Sequence, residues 1–410
     1  MKQTKFGKDF TLVVIGQIIS LFGNAILRFA LPLYLLRQTN SPTLFGLVTA
    51  CSFLPMIALS FLGGILADRV NKRNIMVTLD FGASAVIALC LLLLKNVPLV
   101  PLLLLVLMLL YGISGAYQPT VQASIPALVL HENVLTANAI VNQVGALAGL
   151  LGPIIGGMLF GAFGIVPILT ISILCFASSA VMEIFIKIPF EPRDNSSGVL
   201  VLLKNDVRDS VRYMKNDQPL LIQIIVLIAL FNLVLSAMMI VGIPILIVET
   251  LCLSDALLGL AQGMLALGGL CGGLLTMAFG TRLKLCHAHN LLLLCSLSVG
   301  VMALPFLWSM KSGSCYLVIL GTSFAIMALA TMFSVQMIAA VQMKTPPELV
   351  GKVIALMISI SMCAQPLGQA LYGMLFGKFA HSPGMILLCC ALVAALIAAV
   401  SQKLFQTIPD

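Results

Sequence analysis

The chain has 410 residues, 60% of them apolar and only 9% charged, with a mean hydropathy of +1.13. Soluble domains carry charge on about a quarter of their residues, so most of this chain is written for lipid and intrinsic disorder is excluded. Unbroken runs such as Leu102–Leu110, with no alternation, exclude a β-barrel. The net charge of +8 is spread in short basic groups between apolar segments, which argues against a nucleic-acid partner.

A bilayer core about 30 Å thick takes about 20 residues of helix. Runs of that kind predict an all-α membrane protein of twelve spans: 10–36, 43–67, 75–95, 98–118, 135–161, 164–188, 219–246, 254–279, 287–309, 313–341, 349–377 and 383–403. The first run is too long for a cleavable signal peptide and lacks a small-residue cleavage site. An even number of spans puts both termini on one side. With cytoplasmic termini, 17 of the 22 Lys and Arg residues fall inside and four outside (Arg37, Lys95, Lys311, Lys378), while Arg28 lies within a span. That asymmetry orients the chain. The polar stretch 189–218 reads as a cytoplasmic linker, with a short interfacial helix in DVRDSVRYMKND, between six-span halves at 1–188 and 219–410. GMLFGAF at 157–163 recurs as GMLFGKF at 373–379, and the same offset maps Glu132 onto Glu348. A tandem duplication accounts for both.

In chain order, the first span carries Gln17, Ser20, Asn24 and Arg28 near one line of the helix. A polar stripe in a transmembrane helix should face protein or a water-filled cavity, which makes it a candidate substrate path; snorkelling to the outer interface is the alternative for Arg28. In the third span Asp80 is the candidate proton site, with pairing to Arg69 or Lys72 as the alternative. Glu183 in the sixth has Lys187 at i+4, which predicts an ion pair. Glu132 and Glu348 read as helix-start residues. In the fifth span Asn138, Asn142, Gly145, Gly149, Gly152 and Gly156 form a small-residue stripe for close helix packing, and Pro153 can bend the helix there. Asn232 with Ser236 in the seventh, and Ser361, Gln365, Gln369 and Tyr372 in the eleventh, extend the candidate substrate path; interhelical hydrogen bonding is the alternative. Eleven cysteines, single in apolar stretches and without CxxC, predict buried small hydrophobes. His287 and His289 point to different helix faces, so neither a metal site nor a cofactor is read.

After the second span the chain reads Gly64-Ile-Leu-Ala-Asp68-Arg69-Val-Asn71-Lys72-Arg73. This resembles the G-x-x-x-D-R-x-G-R-R loop of the major facilitator superfamily, with Asn71 at the turn glycine, where it is expected to take left-handed geometry. The second-half counterpart, Gly280–Lys284, lacks the Asp. Gly152-Pro153-Ile-Ile-Gly156-Gly157 is similar to the core of the superfamily's antiporter motif. GQIISLFGNAILRFALPLYL, GISGAYQPTVQASIPALV and ENVLTANAI resemble the macrolide-efflux and enterobactin-exporter branch. The resemblance implies two six-helix bundles working by alternating access, with a cytoplasmic latch from Asp68 to the start of the eleventh helix near Leu349–Lys352. It further implies a bacterial inner-membrane monomer that uses protons to export a small amphipathic compound, such as a drug, macrolide or siderophore. Lysophospholipid transporters are relatives, so a lipid flippase is the alternative. Two departures bear on proton coupling: the branch commonly has an acid at Asn24, and the superfamily's antiporter Arg is missing from the fourth span. A non-transporting receptor or an enzyme is disfavoured, since no nucleophile–base constellation, metal cluster or GxxxxGK[ST] loop is present.

Overall fold

The structure, a computed structural model, describes residues 7–188, 208, 211–216, 218–279 and 288–406. Most of the expected linker and the Gly280–Lys284 counterpart lie outside the described residues. So do the side chains of Gly64, Asp68, Arg69 and Glu348.

Twelve helices among the described residues are long and apolar enough to cross a membrane. In chain order they are α1 (Lys8–Thr39), α2 (Pro42–Arg69), α3 (Lys72–Leu93), α4 (Leu99–Leu128), α5 (Val134–Phe163) and α6 (Ile165–Ile184), then α7 (Pro219–Thr250), α8 (Asp255–Phe279), α9 (Ala288–Leu307), α10 (Ser312–Lys344), α11 (Pro347–Lys378) and α12 (Pro383–Gln406). All-helical spans are what lipid demands, because a helix satisfies its backbone hydrogen bonds within the segment. Within α7 three stretches are π-helical: Asn232–Ser236, Met238–Gly242 and Leu246–Thr250. The residues described in the expected interfacial helix, 208 and 211–216, are helical. There Tyr213 Oη donates to the Lys344 carbonyl at 3.1 Å.

The chain divides into two compact units. Unit 1 is 1–40, 51–196 and 254–263; unit 2 is 41–50, 197–253 and 264–410. The first turns of α8 thus belong to unit 1, and those of α2 to unit 2. The repeated heptapeptide supplies the physical reason. In unit 1 a Cβ on Gly157 would stand 2.6 Å from the Asp255 carbonyl and 3.0 Å from Gly259 Cα. In unit 2 a Cβ on Gly373 would stand 2.8 Å from Gly46 Cα and 2.9 Å from the Pro42 carbonyl. Each copy of GMLFG therefore places a glycine where a helix start meets it backbone to backbone, a contact that any side chain would block. Arg37 Nη2 adds an ion pair with Asp255 Oδ1, at 2.8 Å, to the unit 1 crossing.

Within unit 1, α1 packs on α6 through Gly16 and Gly23. Cβ atoms there would meet Ser179 Oγ at 3.3 Å and Cys175 Cβ at 3.0 Å. That closeness lets Ser179 donate to the Gly16 carbonyl at 3.1 Å and Ser172 to the Gly23 carbonyl at 3.5 Å. On α5, Gly152 meets Ala25 and Gly156 meets Phe29 of α1, whereas Gly145 and Gly149 have nothing within 4 Å of a built Cβ. The packing stripe is therefore the C-terminal part of the run the spacing predicts, because the upper half of α5 alone lies against another helix at that face. In unit 2, Gly368 of α11 meets the Leu233 carbonyl of α7, and Ser296 of α9 donates to the Ala391 carbonyl of α12 at 2.7 Å.

Two expectations need correction. Asn71 has φ −58°, outside the left-handed region. Its Oδ1 instead accepts from Arg73 N at 3.0 Å as the N-cap of α3, so the residue is used for its side chain rather than its backbone freedom. The cysteines are not uniformly buried: Cys252, Cys363 and Cys389 are exposed, against Cys90, Cys295, Cys315 and Cys390 inside. Cys363 and Cys389 lie on spanning helices, where an outward thiol in an apolar solvent carries little penalty, while Cys252 lies in the turn between α7 and α8.

Candidate functional site

The first-span residues lie along unit 1 in sequence order, each with its own neighbours. Arg28 Cζ sits 3.8 Å from the Tyr111 ring centroid, and Nη2 lies 3.7 Å from Met56 Sδ. Phe53 extends the platform, its ring centroid 4.9 Å from that of Tyr111. Arg28 is half-buried, so its cation rests on an aromatic face inside the helices. One turn back, Asn24 Nδ2 donates to Ser114 Oγ of α4 at 3.2 Å. Ser20 and Gln17 follow, 3% and 0% exposed, and none of their side-chain polar atoms has a partner.

At this level α3, α4 and α6 each contribute a polar group. Asp80 lies eight residues into α3, about 12 Å along its axis from Lys72, and is 2% exposed. Tyr117 of α4 donates to Glu183 Oε1 at 2.5 Å. Oδ2 of Asp80 and Oε2 of Glu183 are buried without a partner. A cavity of about 20 Å³, room for one water by the ~10–15 Å³ a water centre occupies, is lined by Ser20, Asn24, Asp80, Ser114 and Tyr117 among others. On the side toward the N-terminus of α1 the cluster is closed by Phe10, Val13, Met76, Val121 and Ile186, part of an apolar core that also takes in Tyr117.

Glu183 does not pair with Lys187 as the i+4 spacing predicts. The helix ends at Ile184, so the spacing no longer places the two side chains on one face. Glu183 is fully buried, while the Lys187 backbone N–H donates to Asp9 Oδ1 at 3.0 Å. A signal for this was present: Ser172, Ser179 and Glu183 share one face of α6 at spacings of seven and four, and Pro189 forecloses helix just past Lys187. Tyr117 carried no such signal.

The other expected residues fall apart from this cluster. Asn71 caps α3, with Lys72 and Arg73 in its first turn, where Arg73 Nε and Nη2 donate to Asn74 Oδ1 at 3.2 and 3.1 Å. Gly152, Pro153, Gly156 and Gly157 lie in α5, where the three glycines sit at the helix crossings already described. In unit 2, Asn232 Nδ2 donates to its own helix at the Ile228 carbonyl, 3.0 Å away. Gln365 is half-buried, and Gln369 is 0% exposed with both side-chain atoms unpartnered. Tyr372, 5% exposed, lines an apolar cavity of about 490 Å³ with Leu375, Phe379 and Met385.

Comparison with known proteins follows this geometry. The family model described as Major Facilitator Superfamily matches residues 13–369. Macrolide efflux protein A of Streptococcus pyogenes is 25% identical over 409 residues, covering 97% of each chain. Enterobactin exporter EntS of Shigella boydii serotype 4 is 31% identical over 160 residues, 38% of each chain. Among solved structures, a bacterial homologue of the iron transporter ferroportin in an inward-facing state superposes with a TM-score of 0.73 at 17% identity, covering 97% of this chain and 99% of that one. The nucleoside transporter NupG gives 0.73 at 12% identity, covering 98% of this chain and 100% of that one. With twelve membrane-spanning helices and a family match over most of its length, the chain is a multi-pass membrane transporter, not an enzyme, and belongs to the Major Facilitator Superfamily.

Proposed function

We propose that the chain exports a small amphipathic compound of drug, macrolide or siderophore type by alternating access, as a monomer in the bacterial inner membrane with both termini cytoplasmic, and that protons drive it. The observation that carries the reading is the line Gln17–Ser20–Asn24–Arg28. A cation on an aromatic and thioether platform, above neutral hydrogen-bonding groups and set among apolar helices, suits a cargo with oxygen acceptors on an apolar body. The names of the efflux relatives support export. The proton belongs to Asp80, an acid buried among helices that lines a water-sized cavity. Purified protein in liposomes with an imposed pH gradient is expected to move at least one member of a panel of macrolides, siderophores and lysolipids; movement of none sinks the reading. Substrate-dependent proton flux in everted vesicles is expected to vanish in Asp80→Asn, and unchanged flux removes Asp80 from the mechanism.

A second reading, a lipid or lysophospholipid flippase, draws on the apolar cavity beside Tyr372, whose rim residues Leu371, Phe379, Met385 and Val393 are exposed as a lipid-facing surface would be. Transport of a fluorescent lysolipid that persists under a protonophore would favour it over proton-driven export.

A further inference from the structure

Two arginines of α1 meet different surroundings. Arg37, near the end of the helix, turns its Nε–Nη2 edge on the Asp255 carboxylate, and the two nitrogens reach Oδ1 at 2.9 and 2.8 Å. Arg28 has no oxygen on that same edge. Its Nε is buried without a hydrogen-bond partner, and Nη2 meets only Met56 Sδ at 3.7 Å, a weak acceptor. Among the described residues no carboxylate comes within ion-pair distance of it. Snorkelling does not account for the residue. Arg28 stands about 16 Å along the axis from the end of α1 at Thr39 and about 30 Å from its start at Lys8. Helical side chains lean toward the N-terminus, away from the nearer end, and the guanidinium rests 3.8 Å from the Tyr111 centroid instead. A cation within a membrane span and without countercharge is costly, and a ring face offsets only part of that cost. Its surroundings are neutral: Phe53 and Met56 on α2, Tyr111 on α4, and Asn24 one turn back. Asp80 is 2% exposed on a cavity of about 20 Å³, room for one water, so it offers no seat to a cargo's amine.

We propose that Arg28 receives a carboxylate of the cargo, so that the chain selects acidic amphipaths over neutral and basic ones. The carboxylate takes the Nε–Nη2 edge, as Asp255 does at Arg37, and supplies the countercharge that the helices withhold. Met56 holds that edge in the meantime. Its side chain is unbranched and has three rotatable bonds, so it swings aside where a branched or aromatic residue would not. The proposal rests on the export reading above and narrows it. Of the cargo classes named there, an acidic siderophore-like compound fits the site, and a macrolide carrying a basic amine does not.

Two fluorescent probes that share one apolar body test the charge. Dansyl-leucine carries a free carboxylate, and dansyl-leucinamide a neutral amide in its place. Each is titrated into the purified protein in lipid nanodiscs at neutral pH. The wild type is expected to bind the acid about tenfold or more tightly than the amide, as one charge-assisted hydrogen bond provides. Arg28→Gln is expected to abolish the preference. Arg28→Lys, which keeps the charge and loses the planar fork, is expected to keep it at reduced size. The readout is a ratio of two affinities on one sample, which partial loss of folded protein leaves unchanged; if Arg28→Gln does not fold, the Lys variant carries the attribution. Equal binding of the two probes by the wild type, or a preference that Arg28→Gln retains, overturns the proposal. So does tighter binding of dansylcadaverine, the basic analogue. Preferential binding of the acid without transport in liposomes leaves the anion site in place and removes the export reading. Transport that ignores the charge of the probe does the reverse, and if no probe binds or moves, both fall.

Discussion

At the scale of single residues, substitutions separate roles that a motif alone merges. Asn71 occupies the turn-glycine position of a familiar loop, yet its backbone is not left-handed and its side chain caps α3. Replacing a cap by Ala costs about 0.5–2 kcal/mol, by Gly only a few tenths. Asn71→Ala is therefore expected to lower the thermal unfolding midpoint in detergent and Asn71→Gly to leave it nearly unchanged; a larger loss with Ala than Gly by virtue of backbone strain is not available at φ −58°. Gly157 and Gly149 belong to the same small-residue helix but not to the same environment. A Cβ at Gly157 meets the Asp255 carbonyl, while at Gly149 it meets nothing within 4 Å. Gly157→Val is expected to cost about 1–3 kcal/mol, as overpacking does, and Gly149→Val to be tolerated. Equal losses in the same unfolding assay would place the motif's importance elsewhere than in that crossing.

At the scale of helices, α1 is the element that organises unit 1. One of its faces carries Gly16 and Gly23 against α6, and another presents Asn24 and Arg28 to α4 and α2. The pairing of Arg28 with Tyr111 is a specific consequence. Arg28→Ala and Tyr111→Leu are each expected to weaken substrate binding by the ~0.5–2 kcal/mol of a cation–π contact, and the double variant to weaken it no further, since both remove one interaction. Additive losses, measured by titrating a fluorescent substrate, would mean the two side chains touch the cargo separately. The π-helical stretches of α7 are a second element-level feature. Each adds a residue to a turn, and π-bulges are frequent at functional sites; here the first opens at Asn232, the residue whose spacing with Ser236 marks the seventh span as part of the candidate path.

At the scale of the whole molecule, the distribution of basic residues makes a claim that a single thiol can check. In the orientation the charges favour, the turn between α7 and α8 is outside, and Cys252 there is exposed with φ 50°. A membrane-impermeant maleimide added to intact cells is expected to label Cys252 and not its Ser replacement; labelling only after permeabilisation would invert the topology. The number, order and approximate ends of the spans were legible in the chain because lipid leaves the backbone no alternative to helices about 20 residues long. So was the first-span polar stripe, since four residues on one helix keep their spacing whatever surrounds them. The second acid was not. Glu183 has Lys187 beside it in sequence and Tyr117 only 66 positions away, and the near partner loses because α6 stops at Ile184.

Sequence alone thus determined the elements of this protein and their order, because burial in lipid and helical periodicity are local rules. Tertiary structure alone decided which polar groups meet. Tyr117 of α4 meets Glu183 of α6, and Asn24 of α1 meets Ser114 of α4, because a polar group is satisfied by whichever helix the packing brings within hydrogen-bond reach.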